Sequence, residues 1–202
     1  MTFETILAIA FFALVGSVSP GPSNFMLLAS GTNFGFRRTV PQILGITIGL
    51  SSVMLAVGLG LGALLTAYPP LGLALKIAGG AYLLTLAWRI AMSRPTSRSA
   101  SNDGAKAARP LTFLESAAFQ WVNPKAWVAA LTAMAAYASA ESPFVSVALI
   151  TLVVAVVNLP SVAVWAGFGV ALRRFLSDPV RLKWFNIVMA LLLVATLWPL
   201  LK

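Results

Sequence analysis

Six long apolar stretches fill most of this chain of 202 residues. They run at about 3–30, 40–68, 71–92, 111–137, 144–172 and 184–201. A helix needs roughly 20 apolar residues to cross a bilayer, and each stretch is long enough. Hydrocarbon offers the backbone no hydrogen-bond partner, so spanning segments must satisfy themselves as helices. A transmembrane β-barrel would show alternating polar and apolar residues, and these runs do not alternate. Hydrophobic residues make up 59% of the chain and charged residues 9%. A water-soluble fold of this size could not cover so much apolar surface. The expectation is an all-α polytopic membrane protein with six transmembrane helices.

The cations order these stretches in space. Arg37 and Arg38 lie between the first two. Arg89, Arg94, Arg98, Lys106 and Arg109 lie between the third and fourth, and Arg173, Arg174, Arg181 and Lys183 between the last two. The turns at Tyr68-Pro69-Pro70 and near Glu141 have no Lys or Arg. Alternate loops are therefore basic, the positive-inside pattern of a cytoplasmic (inner) membrane protein. It predicts that both termini face away from the cytoplasm. The net charge of +9 is then topogenic and calls for a lipid bilayer, not a nucleic-acid partner. Lys76 and Lys202 can snorkel from helix ends. The first stretch carries Glu4 instead of a basic leader region, and no evident small-residue cleavage site precedes Ser19. It reads as a retained membrane helix and not a signal peptide.

The chain has no Cys and no His. That removes disulfides, Cys or His metal ligands and His-based catalysis. Its five carboxylates, Glu4, Asp103, Glu115, Glu141 and Asp178, are scattered. No cofactor or metal is expected. Ser19 and Ser23 would have no His to activate them, which argues against an intramembrane enzyme.

The basic linker at about 93–110 divides the chain into one repeat at about 1–92 and another at about 111–202. Three spans per half invert the second half relative to the first, the logic of inverted-repeat transporters. Each half carries a proline motif in its first span. One is Ser19-Pro20-Gly21-Pro22-Ser23-Asn24, and the other is Gln120-Trp121-Val122-Asn123-Pro124-Lys125. Proline removes a backbone donor and displaces the preceding turn, so both first helices should be interrupted. Asn123-Pro124 reads as a fresh N-cap with proline at the first helical position. A half-helix start inside the membrane offers free N–H groups and a positive dipole end to a carboxylate. The carbonyls freed before each break suit an ammonium group. Lys125 lies about 15 Å of helix past Glu115, near mid-bilayer, where an ion is a functional candidate by default. Its expected partner is a substrate carboxylate, and it could also carry a coupling proton.

The expected substrate-binding residues are Pro20, Gly21, Pro22, Asn24, Gln120, Asn123, Pro124 and Lys125, with Gln42 and Asn158 as further cavity candidates. The plainer alternative for either motif is a kink that serves packing alone. Gly45 and Gly49 form a small-xxx-small packing pattern, and Gly58, Gly60 and Gly62 read the same way. Gln42 and Asn158 could equally be interhelical glue.

Together these residues resemble the LysE/RhtB family of amino-acid exporters. The resemblance rests on Ser19-Pro20-Gly21-Pro22 with Asn24, on Gly31 and on Gly35-Phe36-Arg37-Arg38. It extends through Gly45–Gly49, Gly79-Gly80-Ala81-Tyr82-Leu83 and Asn123-Pro124-Lys125. The tail from Asn186 to Leu192 resembles the last helix of the subgroup that exports cysteine and O-acetylserine. The resemblance covers nearly the whole chain. It implies a secondary carrier that exports amino acids from the cytoplasm, with protons as the coupling ion. Without a deep carboxylate to neutralise a second positive charge, small neutral amino acids or related metabolites fit better than lysine or arginine. The competing expectation is a non-transporting membrane scaffold or assembly factor. The oligomeric state stays open, a homo-oligomer included.

Overall fold

The computed structural model describes residues 1–93 and 109–198. Most of the expected basic linker, with Arg94, Arg98 and Lys106, lies outside the described residues, as does Lys202. Among the described residues every regular element is helical: α1 (Phe3–Val18), α2 (Pro22–Phe34), α3 (Phe36–Ala56), α4 (Gly62–Ala67), α5 (Pro69–Ala91), α6 (Phe113–Val122), α7 (Pro124–Tyr137), α8 (Pro143–Leu172) and α9 (Pro179–Ala195). A π-helical turn, Val57–Leu61, joins α3 to α4, and a 3₁₀ turn, Phe175–Ser177, precedes α9.

Three units are long and apolar enough to cross a membrane: Phe36–Leu65, α5 and α8. The pair α1 and α2 passes the same test together, bent by 58° at the break, and counts as a fourth when taken as one span. The other two expected spans fall short as single helices. Asn123 cuts α6 from α7, and α9 is 17 residues long and begins among Arg181 and Lys183. In contrast, α8 runs unbroken for 30 residues, about 45 Å at 1.5 Å per residue, with Pro160 inside it.

Three apolar clusters hold the helices together. Ile9, Val53, Ala130 and Ile150 join α1, α3, α7 and α8. Met26, Leu83, Phe119 and Leu193 join α2, α5, α6 and α9. Leu27, Ile46, Val162 and Ala166 join α2, α3 and α8. Large apolar side chains also cover the outside: Phe11, Val128 and Val156 are 69%, 64% and 64% exposed. Water would penalise such a surface at about 25 cal/mol per Å², whereas lipid tails do not.

Since lipid removes the hydrophobic drive between helices, close backbone approach takes over. Helix α2 meets α8 through Gly31 and Gly169, where an added Cβ would strike the carbonyls of Ala166 and Leu28 respectively. Thr32 Oγ1 closes the same contact by donating to Gly169 O at 2.9 Å. Helix α3 meets α6 through Gly45 and Gly49, which abut Phe113 and Ala117. The π-helical turn departs from the packing role expected for its glycines. Gly58 and Gly62 do face Val147 and Leu131, but a Cβ on Gly60 would meet nothing, and its φ is +108°. Gly60 is there for backbone conformation, because L side chains avoid that region.

Residues in and beside the three basic loops meet at one end of the bundle. A Cβ on Gly35 would lie 3.3 Å from the Arg173 guanidinium. Asn186 Nδ2 donates to Asn33 Oδ1 at 3.2 Å and to Ser93 O at 2.9 Å, tying α9, α2 and the end of α5. Arg89 and Arg109 both reach Glu115, at 3.3 Å and 2.6 Å. The hydrogen-bonded Glu115 carboxylate holds the Arg109 guanidinium above its ordinary pKa.

Candidate functional site

Proline chemistry builds the first break. Pro20 has no N–H to continue α1, and its ring pushes Ser19 out of the helical region. The helix ends with Ser19 N–H donating to Val15 O at 3.0 Å. Pro22 then restarts the chain as α2, with Gly21 as an N-cap that makes no side-chain cap bond. The last carbonyls of α1 lose their helical donors, and Asn24 replaces them. Its Nδ2 donates to Ser17 O at 2.9 Å and Ser19 O at 2.8 Å.

The second break is one residue wide. Asn123 leaves the helix, and its Oδ1 accepts from Lys125 N–H at 3.1 Å, with Pro124 in the first turn of α7. The Trp121 carbonyl accepts from Trp127 Nε1 at 2.7 Å. Asn123 Nδ2 donates to Gln120 Oε1 at 3.0 Å and to Ser23 Oγ at 3.3 Å. Gln120 Nε2 donates to Ser23 Oγ at 3.1 Å. Ser23 thus binds the restart of the first break to the end of α6 across 97 residues of sequence.

Lys125 closes the arrangement. Its Nζ donates to Ser19 O at 2.6 Å and to Pro20 O at 3.4 Å. The cation of one break sits on the carbonyls of the other. Gly21 permits this, because an added Cβ would lie 2.9 Å from Lys125 Cδ and 3.0 Å from Nζ.

A cavity of about 70 Å³ lies between the breaks. Gly21, Asn24, Gln120, Asn123, Lys125 and Asn158 all line it, and so do Ser17 and Ser23. Pro20, Pro22 and Pro124 do not line it but set the breaks that frame it. Asn158 enters from α8, accepting from Thr47 Oγ1 at 3.0 Å and donating to Ser17 Oγ at 2.9 Å. Gln42 is not at this cavity. It lines a second one, of about 450 Å³, at the basic end. Sequence reasoning missed Ser17 as a cavity residue and considered Ser23 only as a nucleophile. The signal for Ser23 was its place inside the proline motif, whereas an isolated serine such as Ser17 carries none.

The cavity can hold a small polar molecule. Lys125 is the only ionisable group among the described residues lining it. The rest of its polar lining consists of neutral amides and hydroxyls. Among the described residues no three Asp, Glu, His or Cys side chains converge to hold a metal.

A family model described as LysE type translocator matches residues 14–196. The cysteine/O-acetylserine efflux protein of Escherichia coli (strain K12) is 33% identical over 196 residues, covering 96% of either chain. The protein of the same description from Shigella flexneri is 34% identical over 193 residues, covering 94% of either chain. No solved structure matches. Apolar spanning helices, an interrupted first span and this match over nearly the full length lead to one assignment: the chain belongs to the LysE type translocator family and is a multi-pass membrane transport protein, not an enzyme.

Proposed function

We infer that this protein exports small neutral amino acids or related metabolites across the cytoplasmic membrane as a proton-coupled secondary carrier, with its transport site between the two helix breaks. The observation that carries the reading is the Lys125 ammonium resting on the Ser19 and Pro20 carbonyls. An α-ammonium of substrate is the chemical equal of that group and competes for the same acceptors. Once displaced, Lys125 pairs with the substrate carboxylate, assisted by the α2 N-terminus, which has no side-chain cap. One zwitterion thereby inserts between a cation and its acceptors. A second positive charge would find no carboxylate in this lining, so lysine and arginine are disfavoured. The efflux proteins of cysteine and O-acetylserine among the relatives agree with that substrate class. Lys125 is the group that would take and release the coupling proton.

The same reading arranges the chain as six spans in two inverted repeats, about 1–92 and 111–202, with α1 plus α2 and α6 plus α7 as broken first spans. Helix pairing supports it: α3 packs on α6 as α8 packs on α1, and α3 meets α8 as α5 meets α9. The basic end then faces the cytoplasm and both termini face outward. The packing of Phe12 on Tyr137, with ring centroids 6.2 Å apart, supports an N-terminus directed away from the basic loops.

The test is efflux from loaded proteoliposomes. Lys125→Met is expected to slow O-acetyl-L-serine efflux by roughly 10- to 100-fold, the weight of a lost hydrogen bond to a charged group. Lys76→Met, on the exposed face of α5, leaves it unchanged. Wild-type rates in a well-inserted Lys125→Met protein would remove Lys125 from the mechanism.

A further inference from the structure

Among the described residues, four glycines could take a Cβ that meets no atom within 4 Å: Gly16, Gly60, Gly72 and Gly167. Gly60 owes its place to its positive φ. Gly72 and Gly167 do not line the cavity between the breaks, whereas Gly16 does. Gly16 lies inside α1, where glycine is less favourable than alanine. The glycines that serve packing behave differently, since a Cβ on Gly31, Gly45 or Gly169 would strike a backbone carbonyl. Neither packing nor backbone conformation calls for a glycine at position 16. What its missing side chain leaves is room in the cavity.

The wall around that room is apolar. Ala13, Met54 and Val154 belong to the cluster that joins α1, α3, α7 and α8, and Phe12, Leu50 and Ala129 pack against it. All six line the cavity. Its amides and its one cation come instead from the breaks, with Asn158 added from α8. The lining thus has a polar part at the breaks and an apolar part along the preceding turns of α1.

Gly16 stands between the two. It lies three residues before Ser19, about 4.5 Å of helical rise, and its carbonyl accepts from Ser19 Oγ at 2.9 Å. Ser19 O is the carbonyl that holds Lys125 Nζ. A ligand whose ammonium takes that carbonyl has the Gly16 face of α1 within reach of its side chain. The apolar wall accepts an uncharged side chain and offers a charged one nothing.

We propose that Gly16 is a specificity-determining residue, which sets how long a side chain the transport site accepts by leaving an apolar slot along α1 for the uncharged side chain of the substrate. The proposal rests on the exporter reading above and adds which part of the site selects the side chain.

The experiment uses the full chain in proteoliposomes loaded with L-cysteine and O-acetyl-L-serine together, each labelled differently and at low concentration. The readout is the ratio of the two initial efflux rates from the same vesicles, in which the amount of inserted protein cancels. Wild type releases both. Gly16→Ala lowers the ratio of O-acetyl-L-serine to L-cysteine by about tenfold, the effect of one methyl-sized group in an apolar pocket, and Gly16→Val lowers it by up to about 100-fold. Gly16→Ala melts in detergent at or above the wild-type temperature, because its methyl touches nothing and favours the helix. Gly167→Ala, which adds an equally unhindered methyl away from the cavity, leaves the ratio unchanged. An unchanged ratio in both Gly16 variants overturns the role of Gly16 and leaves the exporter reading standing. So does an equal shift in Gly167→Ala, a marked loss of stability in Gly16→Ala, or a wild type that carries only one of the two amino acids. Failure of wild type to move either amino acid overturns the exporter reading itself.

Discussion

The two helix breaks share their proline chemistry and differ in what they leave unsatisfied. At the first, residues 19–21 leave the helix and the axis turns by 58°. Its restart has no side-chain cap, and its freed carbonyls draw donors from Asn24 and from Lys125 of the other half. At the second, a single residue leaves the helix. Asn123 caps its own restart, and Trp127 serves the Trp121 carbonyl. The second break is locally complete and contributes its one cation elsewhere, whereas the first is complete only with help. A group that is satisfied by a movable side chain can exchange that partner for a ligand, but a group satisfied by its own turn cannot. On the proposed transport reading, the exchange chemistry belongs to the first break, and the second is a mount for Lys125.

The sharpest way to break this contrast is Asn24→Leu. The variant keeps the branching of the side chain and removes both donations to the α1 terminus. Ser19 O retains Lys125, but Ser17 O is left without its Asn24 donor in the apolar interior. The expected loss is about 1–3 kcal/mol of stability, measured as a lower unfolding temperature in detergent, together with impaired efflux. Asn24→Leu with wild-type stability would mean that the first break does not depend on borrowed donors.

Gly21→Ala addresses the exchange more gently. The backbone there is extended, with φ 179°, so alanine fits the conformation. Its Cβ would crowd Lys125 Cδ at 2.9 Å, and the flexible side chain yields by swinging its ammonium away from Ser19 O. Stability should change little, and efflux should fall by about tenfold or less, the worth of weakening one charged hydrogen bond. Normal efflux in Gly21→Ala would show that Lys125 need not rest on those carbonyls.

The sequence carried the breaks but not the contact between them. Pro20, Pro22 and Pro124 act within one turn, so their effect is local and readable. The meeting of Lys125 with Ser19 spans 106 residues and depends on how α7 is seated against α1, for which neither motif contains a signal. The freed carbonyls had been assigned to a substrate amine, yet a side chain of the protein occupies them. Gln42 illustrates the same limit from the other side. An amide in mid-helix reads alike whether it is paired or free, and only the packed chain shows its Oε1 buried without a partner among the described residues. The six-span count rested on apolar length and on the alternation of basic loops, and the break at Asn123 divides the fourth stretch into helices of 10 and 14 residues.

The smallest effect should appear at Asn123, and it tests whether the second break is a mount. Asn123→Ala removes the cap bond to Lys125 N–H and the donations to Gln120 and Ser23. A lost N-cap costs about 1 kcal/mol, and the remaining partners are side chains that can re-pair with each other. Asn123→Asp keeps the cap but adds a carboxylate two residues from Lys125. If the second break only mounts the cation, Asn123→Ser, which caps and adds no charge, should restore both stability and efflux. Asn123→Asp should restore stability alone, because its carboxylate competes with substrate for the Lys125 ammonium. Equal efflux in the serine and aspartate variants would place Lys125 outside the reach of residue 123 and reduce the second break to a kink.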